Sequence, residues 1–227
     1  MPSILTKLAH GSAPFITTFV LIHLSAPAAA NLGGTSLASQ VMILGREYYK
    51  TSFGHRYLVV VPILTHGLSA VAKRVLGERT SRRLRSLFSI AGYASLLFLL
   101  PTHYLLHRVY PSDPSPPILS LSPAELDYEY VKFGLQQWPL PNWVLYTGLT
   151  ACVAWHATEG LQIIWNTWLA GNARIWKSSA KRRLITVAAS VLPVFTGILV
   201  MSREPLMVFS GTADRYETAF RRLVMFR

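Results

Sequence analysis

Residues 143–170 read WVLYTGLTACVAWHATEGLQIIWNTWLA, a stretch whose only acid is Glu159 and whose only histidine is His156. Because about 20 consecutive apolar residues suffice to cross a hydrocarbon core, the stretch predicts a membrane-spanning helix. Ionisable side chains are costly in lipid and usually functional when they occur there. The stretch therefore predicts a membrane protein with a buried polar site.

Four more apolar stretches extend this prediction to the rest of the chain, and they cover residues 14–32, 57–72, 87–106 and 184–201. Only 14% of the residues are charged, against about 25% in an average soluble domain. The pattern predicts an all-α integral membrane five-helix bundle over residues 1–202. Cys152, the only cysteine, excludes an internal disulfide and a CxxCH haem attachment site.

The basic residues predict the orientation of the bundle. With five spans, the N-terminal side collects twelve basic residues and one acid, Glu78, from Lys7 and the loops 73–85 and 174–183. The opposite side holds ten basic residues and eight acids. The positive-inside rule then assigns the N-terminal side to the compartment that faces the anionic leaflet. These short clusters flank spans, so they indicate phospholipids as partners and not nucleic acid.

Two segments outside the spans carry helix signals. Ser122, Pro123 and Glu125 form an N-cap, a first-turn proline and a capping-box acid, which predict a surface helix starting there. In residues 203–227, Tyr216 and Phe220 stand at helical spacing among arginines. They predict a basic amphipathic C-terminal helix on the membrane surface, with a frayed polar tail as the alternative.

Four histidines occupy the first four predicted spans, one in each. At 1.5 Å of rise per residue, His66 and His156 both lie roughly 10 Å from the basic side. His23 and His103 both lie roughly 7 to 12 Å from the opposite side. The depths therefore predict two planes of two histidines, one plane in each leaflet.

This layout is typical of two b-type haems, each held by two axial imidazoles. One haem, or four histidines that serve packing alone, are the alternatives. Candidate partners for haem propionates are Arg46, Arg56, Lys73 and Arg108. Gly67 and Gly160 would let a macrocycle approach the backbone. His107 is a rival ligand one turn after His103. Glu159 is predicted to orient a histidine, and binding a proton or meeting a basic partner are its alternatives.

Four short runs resemble the cytochrome b anchor of succinate dehydrogenases, in its single-chain, five-span, two-haem type. They are HLSAPAAANL (23–32), THGLSAVAKR (65–74), HYLLHR (103–108) and HATEGLQIIWNTW (156–168). The resemblance selects His103 over His107. It also implies that His23 and His103 share one haem and that His66 and His156 share the other.

A more extensive resemblance, over about residues 9–199, is to the fungal mitochondrial MCP-type adaptor family. HLSAPAAANLGG (23–34), GREYYK (45–50) and GYASLLFLLPTHYLLHRVYP (92–111) carry it. The resemblance implies a mitochondrial outer-membrane protein of lipid homeostasis that recruits a bridge-like lipid-transfer protein to organelle contact sites. That family recruits through a Pro-x-Pro motif in an N-terminal extension; few residues precede the first predicted span here, and Pro114 and Pro116 in the third loop fit the short pattern.

We therefore expect an adaptor with a di-haem-binding bundle. The alternative is an electron-transfer subunit of a quinone oxidoreductase, for which Ser25, Arg46 and Tyr93 are candidate quinone contacts. Transport through the bundle is a third hypothesis, and only Glu159 supports it. No hydrolytic constellation is present, so whether the chain is an enzyme stays open.

Overall fold

Seven α-helices make up the described part of the chain, which is residues 2–77, 84–170 and 176–227 of a computed structural model. In chain order they are α1 (Ile4–Arg46), α2 (Gly54–Val75), α3 (Leu87–Ser112), α4 (Tyr128–Gln137), α5 (Pro139–Ile164), α6 (Ala180–Ser202) and α7 (Ser210–Arg221). The all-α prediction is confirmed. Residues 78–83 and 171–175, which carry part of the predicted basic side, lie outside the described residues.

Helix α1 reverses direction at two glycines. Gly33 and Gly34 have non-helical backbone angles, and Gly34 has a φ of 60°. Glycine adopts this left-handed conformation without steric cost. A long arm, residues 4–32, therefore leads to a short arm, residues 35–46, that folds back on it. The reversal brings Gly45 so close to Ile22 that a Cβ on the glycine would lie 3.0 Å from Cγ2 of the isoleucine, whereas a straight helix would hold these residues about 35 Å apart.

Four described helices are long and apolar enough to cross a membrane: Ile4–Arg46, Gly54–Val75, Leu87–Ser112 and Ala180–Ser202. Helix α5, which contains most of the fourth predicted span, forms as expected and continues as a π-helical turn at Trp165–Leu169. It is not among the four, since its Trp, Tyr, Thr and Gly residues contribute little hydropathy. The chain is a multi-pass membrane protein, and the fourth predicted span, residues 143–170, stays a prediction.

Close packing joins the long arm of α1 to α6. A Cβ added to Gly197 would lie 1.8 Å from the Pro27 carbonyl oxygen, so only glycine allows this approach. Asn31 then donates a side-chain hydrogen bond of 2.7 Å to the Pro193 carbonyl oxygen. Small residues and polar side chains are the usual means by which membrane helices associate.

A cap covers the less basic end of the bundle. It consists of α4, α7, the turn Val224–Phe226 and the loop 113–127, around the buried rings of Tyr130, Phe133, Tyr216, Phe220 and Phe226. The apolar face of α7 packs against α4 in this cap, with ring centroids of Tyr130 and Tyr216 4.9 Å apart. The predicted C-terminal helix thus forms, but its apolar face is buried in protein and not laid on lipid.

The predicted capping box forms without starting a helix. Ser122 N–H donates to the Glu125 carboxylate at 2.8 Å, and Glu125 N–H donates to Ser122 Oγ at 3.3 Å. The helix begins only at Tyr128, where the Asp127 carboxylate accepts the Glu129 N–H at 2.8 Å. The predicted start was therefore wrong by about one and a half turns, because residues 122–127 dock the loop onto its neighbours instead of continuing as a helix.

Candidate functional site

The first pair of histidines lies near the cap, and we call it the cap-side pair. His23 comes from the long arm of α1 and His103 from α3, between two π-helical turns at Ser95–Leu99 and Leu105–Val109. Their ring centroids are 5.9 Å apart and their planes are nearly perpendicular, at 82°. The Nδ1 atoms of both rings are buried and have no hydrogen-bond partner within the described residues. A buried nitrogen without a partner costs free energy unless a bound group or water satisfies it.

The second pair lies toward the basic loops, and we call it the basic-side pair. His66 of α2 and His156 of α5 have ring centroids 5.8 Å apart and an interplanar angle of 85°. His66 Nδ1 lies 2.8 Å from the Ala9 carbonyl oxygen, and His156 Nδ1 lies 3.1 Å from the Phe88 carbonyl oxygen. A carbonyl only accepts, so each Nδ1 carries the proton and each Nε2 is left with a free lone pair.

Both pairs have the spacing that a shared metal requires. A metal that binds two imidazoles at about 2 Å holds their ring centroids roughly 6 Å apart. Metal-ligating histidines usually donate their other N–H to a carbonyl or carboxylate, as the basic-side pair does. No group of three or more His, Cys, Asp or Glu side chains suited to a metal occurs in the described residues. A haem iron needs only two axial ligands, and these histidines fit that donor set.

The two pairs stand apart along the bundle axis. Tyr146 of α5 has its ring centroid 6.4 Å from that of His103, which places it at the level of the cap-side pair. His156 follows ten residues later on the same helix, a rise of about 15 Å. The structure thus brings together the same residues that sequence depth paired, in two separate layers.

A glycine that the sequence-based prediction missed makes room for one ring. A Cβ on Gly92 would lie 2.8 Å from both Cε1 and Nδ1 of His156, so a larger residue would displace the imidazole. We expected Gly67 to make room, but a Cβ added there would lie 2.8 Å from the side chain of Leu96, and one added to Gly160 would meet Phe88 at an ordinary 3.9 Å. A glycine inside the apolar run LFSIAGYA was the available signal for a close approach.

The other histidines lie outside the pairs. His107 has its ring centroid 4.5 Å from that of His103, and its Nε2 lies 3.1 Å from the Tyr146 hydroxyl. His10 accepts a hydrogen bond of 2.8 Å from Trp168 Nε1, and His55 stacks on Tyr104. Each therefore already has a polar or aromatic neighbour that explains its position.

Of the polar side chains expected beside the histidines, Arg108 is exposed, whereas Arg46 and Glu159 contact other groups. Arg46 donates to the backbone carbonyls of Pro123 and Leu126, which ties the short arm of α1 to the cap loop. Arg108, five residues after His103, is exposed. The Glu159 carboxylate lies 4.0 Å from Nε of Arg183 on α6, so within the described residues it meets a basic partner, the alternative to orienting a histidine.

Residues 98–209 match the family model described as "MDM10-complementing protein 1, transmembrane domain", which covers just under half of the chain. The match contains one member of each histidine pair, His103 and His156. No curated protein and no solved structure matches the chain. Over the matched residues the chain is similar to the membrane domain of that family.

Proposed function

We propose that this chain is a mitochondrial membrane protein whose bundle binds two b-type haems and that acts as an adaptor in lipid homeostasis. The observation that carries the haem proposal is the presence of two separate histidine pairs, with ring centroids 5.9 and 5.8 Å apart. The match to the MDM10-complementing protein 1 family supports a mitochondrial membrane location. The outer membrane is the location that the adaptor resemblance implies.

In this proposal the four histidines would be axial ligands, two to each haem. His66 and His156 are oriented in advance, since the carbonyls of Ala9 and Phe88 hold Nδ1 and leave Nε2 for the metal. A bound b-type haem with two imidazoles supplies a one-electron redox centre with both axial positions filled. Arg108 is the exposed cation closest in sequence to the cap-side pair and is the candidate to meet a propionate there.

The haem proposal is tested by spectroscopy of the full chain purified in mild detergent. We expect an oxidised-minus-reduced spectrum of low-spin b-type haem and about two haems per chain. His66→Ala and His103→Ala should each remove about half of the signal, because each variant loses one axial ligand. His10→Ala is the matched control and should keep both haems. A chain without haem after expression with ample haem supply would refute the ligand assignment.

The adaptor proposal concerns membrane phospholipids and a bridge-like lipid-transfer protein as partners. Pro114 and Pro116 are exposed in the cap loop, as a short recognition motif requires. Replacing both with alanine should abolish recruitment of that lipid-transfer protein to mitochondria, measured by fluorescence microscopy. Ser115→Ala, at the free position of the motif, is the control. Undiminished recruitment by the double variant would remove these prolines from the proposal.

Electron transfer is the second candidate, and the layering of the pairs favours it. Two redox centres separated by about 15 Å along the bundle would pass electrons between leaflets. The discriminating experiment adds a reduced quinone analogue to the purified chain and follows haem absorbance. Rapid reduction of both haems would favour the redox subunit, whereas haems that only dithionite reduces would favour a structural role in the adaptor.

A further inference from the structure

Three exposed tryptophans mark the end of the bundle that carries the basic loops. Trp165, Trp168 and Trp176 are between 41% and 44% exposed. Trp176 is held there by α5, since the side-chain amides of Gln162 and Asn166 both donate to its carbonyl oxygen, at 2.8 and 2.9 Å. Tryptophans of membrane proteins are enriched at the level of the lipid headgroups. This end of the bundle therefore lies where phospholipid phosphates are concentrated.

The described residues of this end carry a large excess of positive charge. Their cations are Lys7, Lys73, Arg74, Arg85, Lys177, Lys181, Arg182 and Arg183. Glu159 is the only acid among the same residues, and it already faces Arg183. Lys7 and Lys73 have no ion-pair partner within 4 Å in the described part of the chain. An added anion would therefore be stabilised at this end.

His10 presents a hydrogen-bond donor beside these two lysines. Trp168 Nε1 donates to His10 Nδ1 at 2.8 Å. Since an indole nitrogen only donates, Nδ1 is the acceptor and the ring proton is on Nε2. Lys7 lies one turn before His10 on α1, and Lys73 of α2 is near enough for its charge to act on the ring. Two ammonium groups and one fixed N–H donor are therefore brought together from α1 and α2 by the contact with Trp168.

An open apolar strip runs along α1 next to these donors. A Cβ added to Gly11 would meet nothing within 4 Å, so the helix surface is free at this position. The side chains of Leu8 and Phe15 lie one turn to either side of the glycine, at 46% and 44% exposure. Apolar surface beside basic groups suits a ligand that has an acyl chain as well as a charge. The strip therefore favours a lipid over a free anion.

We propose that Lys7, His10 and Lys73 bind the phosphate of an anionic phospholipid headgroup. An acyl chain of the lipid lies along Gly11, between Leu8 and Phe15. Phosphate oxygens accept from ammonium and imidazole N–H groups, and the two lysines offset the negative charge. A choline headgroup would bring a further cation beside the lysines and is the weaker ligand. The proposal concerns one site with named donors, which is more specific than a general attraction of basic loops for anionic lipid.

Native mass spectrometry of the full chain in detergent would test the ligand class with short-chain lipids as probes. We expect phosphatidylglycerol to bind roughly ten-fold more tightly than phosphatidylcholine, because each lysine near the headgroup adds to the preference for net negative charge. Inorganic phosphate is the third probe and should bind much more weakly, since it gains nothing from the apolar strip. Equal affinity for the two lipids would overturn the proposal. Phosphate that binds as tightly as phosphatidylglycerol would equally overturn it, since the site would then take a free anion.

Gly11→Leu tests the site without changing any charge. The new side chain occupies the strip, so phosphatidylglycerol binding should fall roughly ten-fold, while the higher helix propensity of leucine preserves α1. Gly211→Leu on α7, where a Cβ also meets nothing within 4 Å, is the matched control and should bind the lipid as the unmodified chain does. Equal binding by the two variants would refute the site.

Lysine variants separate one site from the charge of the whole basic end. Lys73→Gln should lower the preference for phosphatidylglycerol roughly five-fold, whereas Lys181→Gln, at an exposed position in the first turn of α6, should leave it nearly unchanged. An equal loss in both variants would show a diffuse attraction and overturn the proposal.

The haem absorbance is followed in the same samples, because Lys73 is also a candidate partner of a haem propionate. Loss of haem in Lys73→Gln would assign this lysine to the haem and overturn its place in the lipid site. Unchanged haem absorbance with a reduced preference for phosphatidylglycerol supports the lipid site and keeps this test separate from the haem proposal.

Discussion

The two histidine pairs have nearly the same ring geometry but different surroundings. In the basic-side pair, the carbonyls of Ala9 and Phe88 accept from Nδ1 of His66 and His156. In the cap-side pair, Nδ1 of His23 and His103 has no such acceptor in the described residues. The rings there are held by packing, with Phe19 stacked on His23 at 5.4 Å and His107 beside His103.

The difference shows two ways in which a histidine ring can be held before it binds a metal. A hydrogen-bonded Nδ1 fixes the tautomer and the ring orientation before any metal arrives. A packed ring without an acceptor keeps an unsatisfied nitrogen until something binds, so its site depends more on the occupant. We therefore expect the basic-side pair to keep its tautomer and its ring orientation without a bound group, and the cap-side pair to depend more on its occupant for both.

The largest expected effect comes from filling the space beside His156. Gly92→Val places a Cβ 2.8 Å from Cε1 and Nδ1 of the ring and adds two methyl groups beyond it, so the imidazole must move away from its carbonyl partner. We expect loss of about half of the haem absorbance, with the cap-side haem retained. Gly148→Val is the control, because a Cβ there meets Leu99 at an ordinary 3.8 Å. Full haem content in the Gly92 variant would show that the basic-side pair tolerates displacement.

A smaller effect is expected from separating the two helices beneath the cap-side pair. In Gly197→Ala the new Cβ would collide with the Pro27 carbonyl, four residues after His23. Overpacking of this kind costs about 3 kcal/mol of unfolding free energy, which thermal unfolding in detergent would detect. Gly211→Ala on α7, where a Cβ meets nothing within 4 Å, should be neutral. Equal stability of both variants would mean that α1 and α6 move apart freely.

His107→Phe tests whether His103 or His107 is the haem ligand at the cap-side pair. The variant leaves the Tyr146 hydroxyl without its partner at 3.1 Å, a loss of about 1 kcal/mol. The haem content should stay at the level of the unmodified chain, since His103 remains. A loss of half of the haem absorbance would instead make His107 the axial ligand.

The smallest effect is an acid-dependent loosening of the cap. The Ser122 backbone N–H holds the pKa of the Glu125 carboxyl below its usual value, and Arg215 lowers it further. A lowered folded-state pKa contributes stability above the unfolded pKa of about 4.3, and this stability is lost as the pH falls through the folded value. Hydrogen exchange of α7 should therefore accelerate below about pH 4 before exchange in α2 does. Simultaneous acceleration in both helices would contradict a local effect.

The layers of histidines could be predicted because depth in a membrane helix follows from residue counts alone. The seven residues between His66 and Lys73 give a distance to the basic side without any knowledge of packing. The apolar runs likewise predicted the four helices that are apolar enough to cross a membrane. Their ends were less accurate, since α2 begins three residues earlier and α3 ends six residues later than expected. Axial ligation itself stays a prediction.

The features that could not be predicted from the sequence depend on contacts between distant residues. The reversal of α1 was hidden because Gly33 and Gly34 follow an apolar run that continues helically after them. The role of Gly92 depends on where His156 lies, 64 positions later. The start of α4 was misplaced because the box at Ser122 and Glu125 is a genuine local signal, which docking of the loop by Arg46 and Arg215 overrides.

The turn at Gly33 and Gly34 also bears on how the chain is made. The short arm that follows it begins with the Thr35 N–H, and the group that satisfies this N–H is the Glu204 carboxylate, 169 residues later in the chain. The first amides of a helix are left without intrahelical partners. During synthesis the first amide of the short arm therefore stays without this partner until the chain has been translated as far as Glu204. Closure of the hairpin formed by the two arms of α1 thus depends on the segment that follows α6.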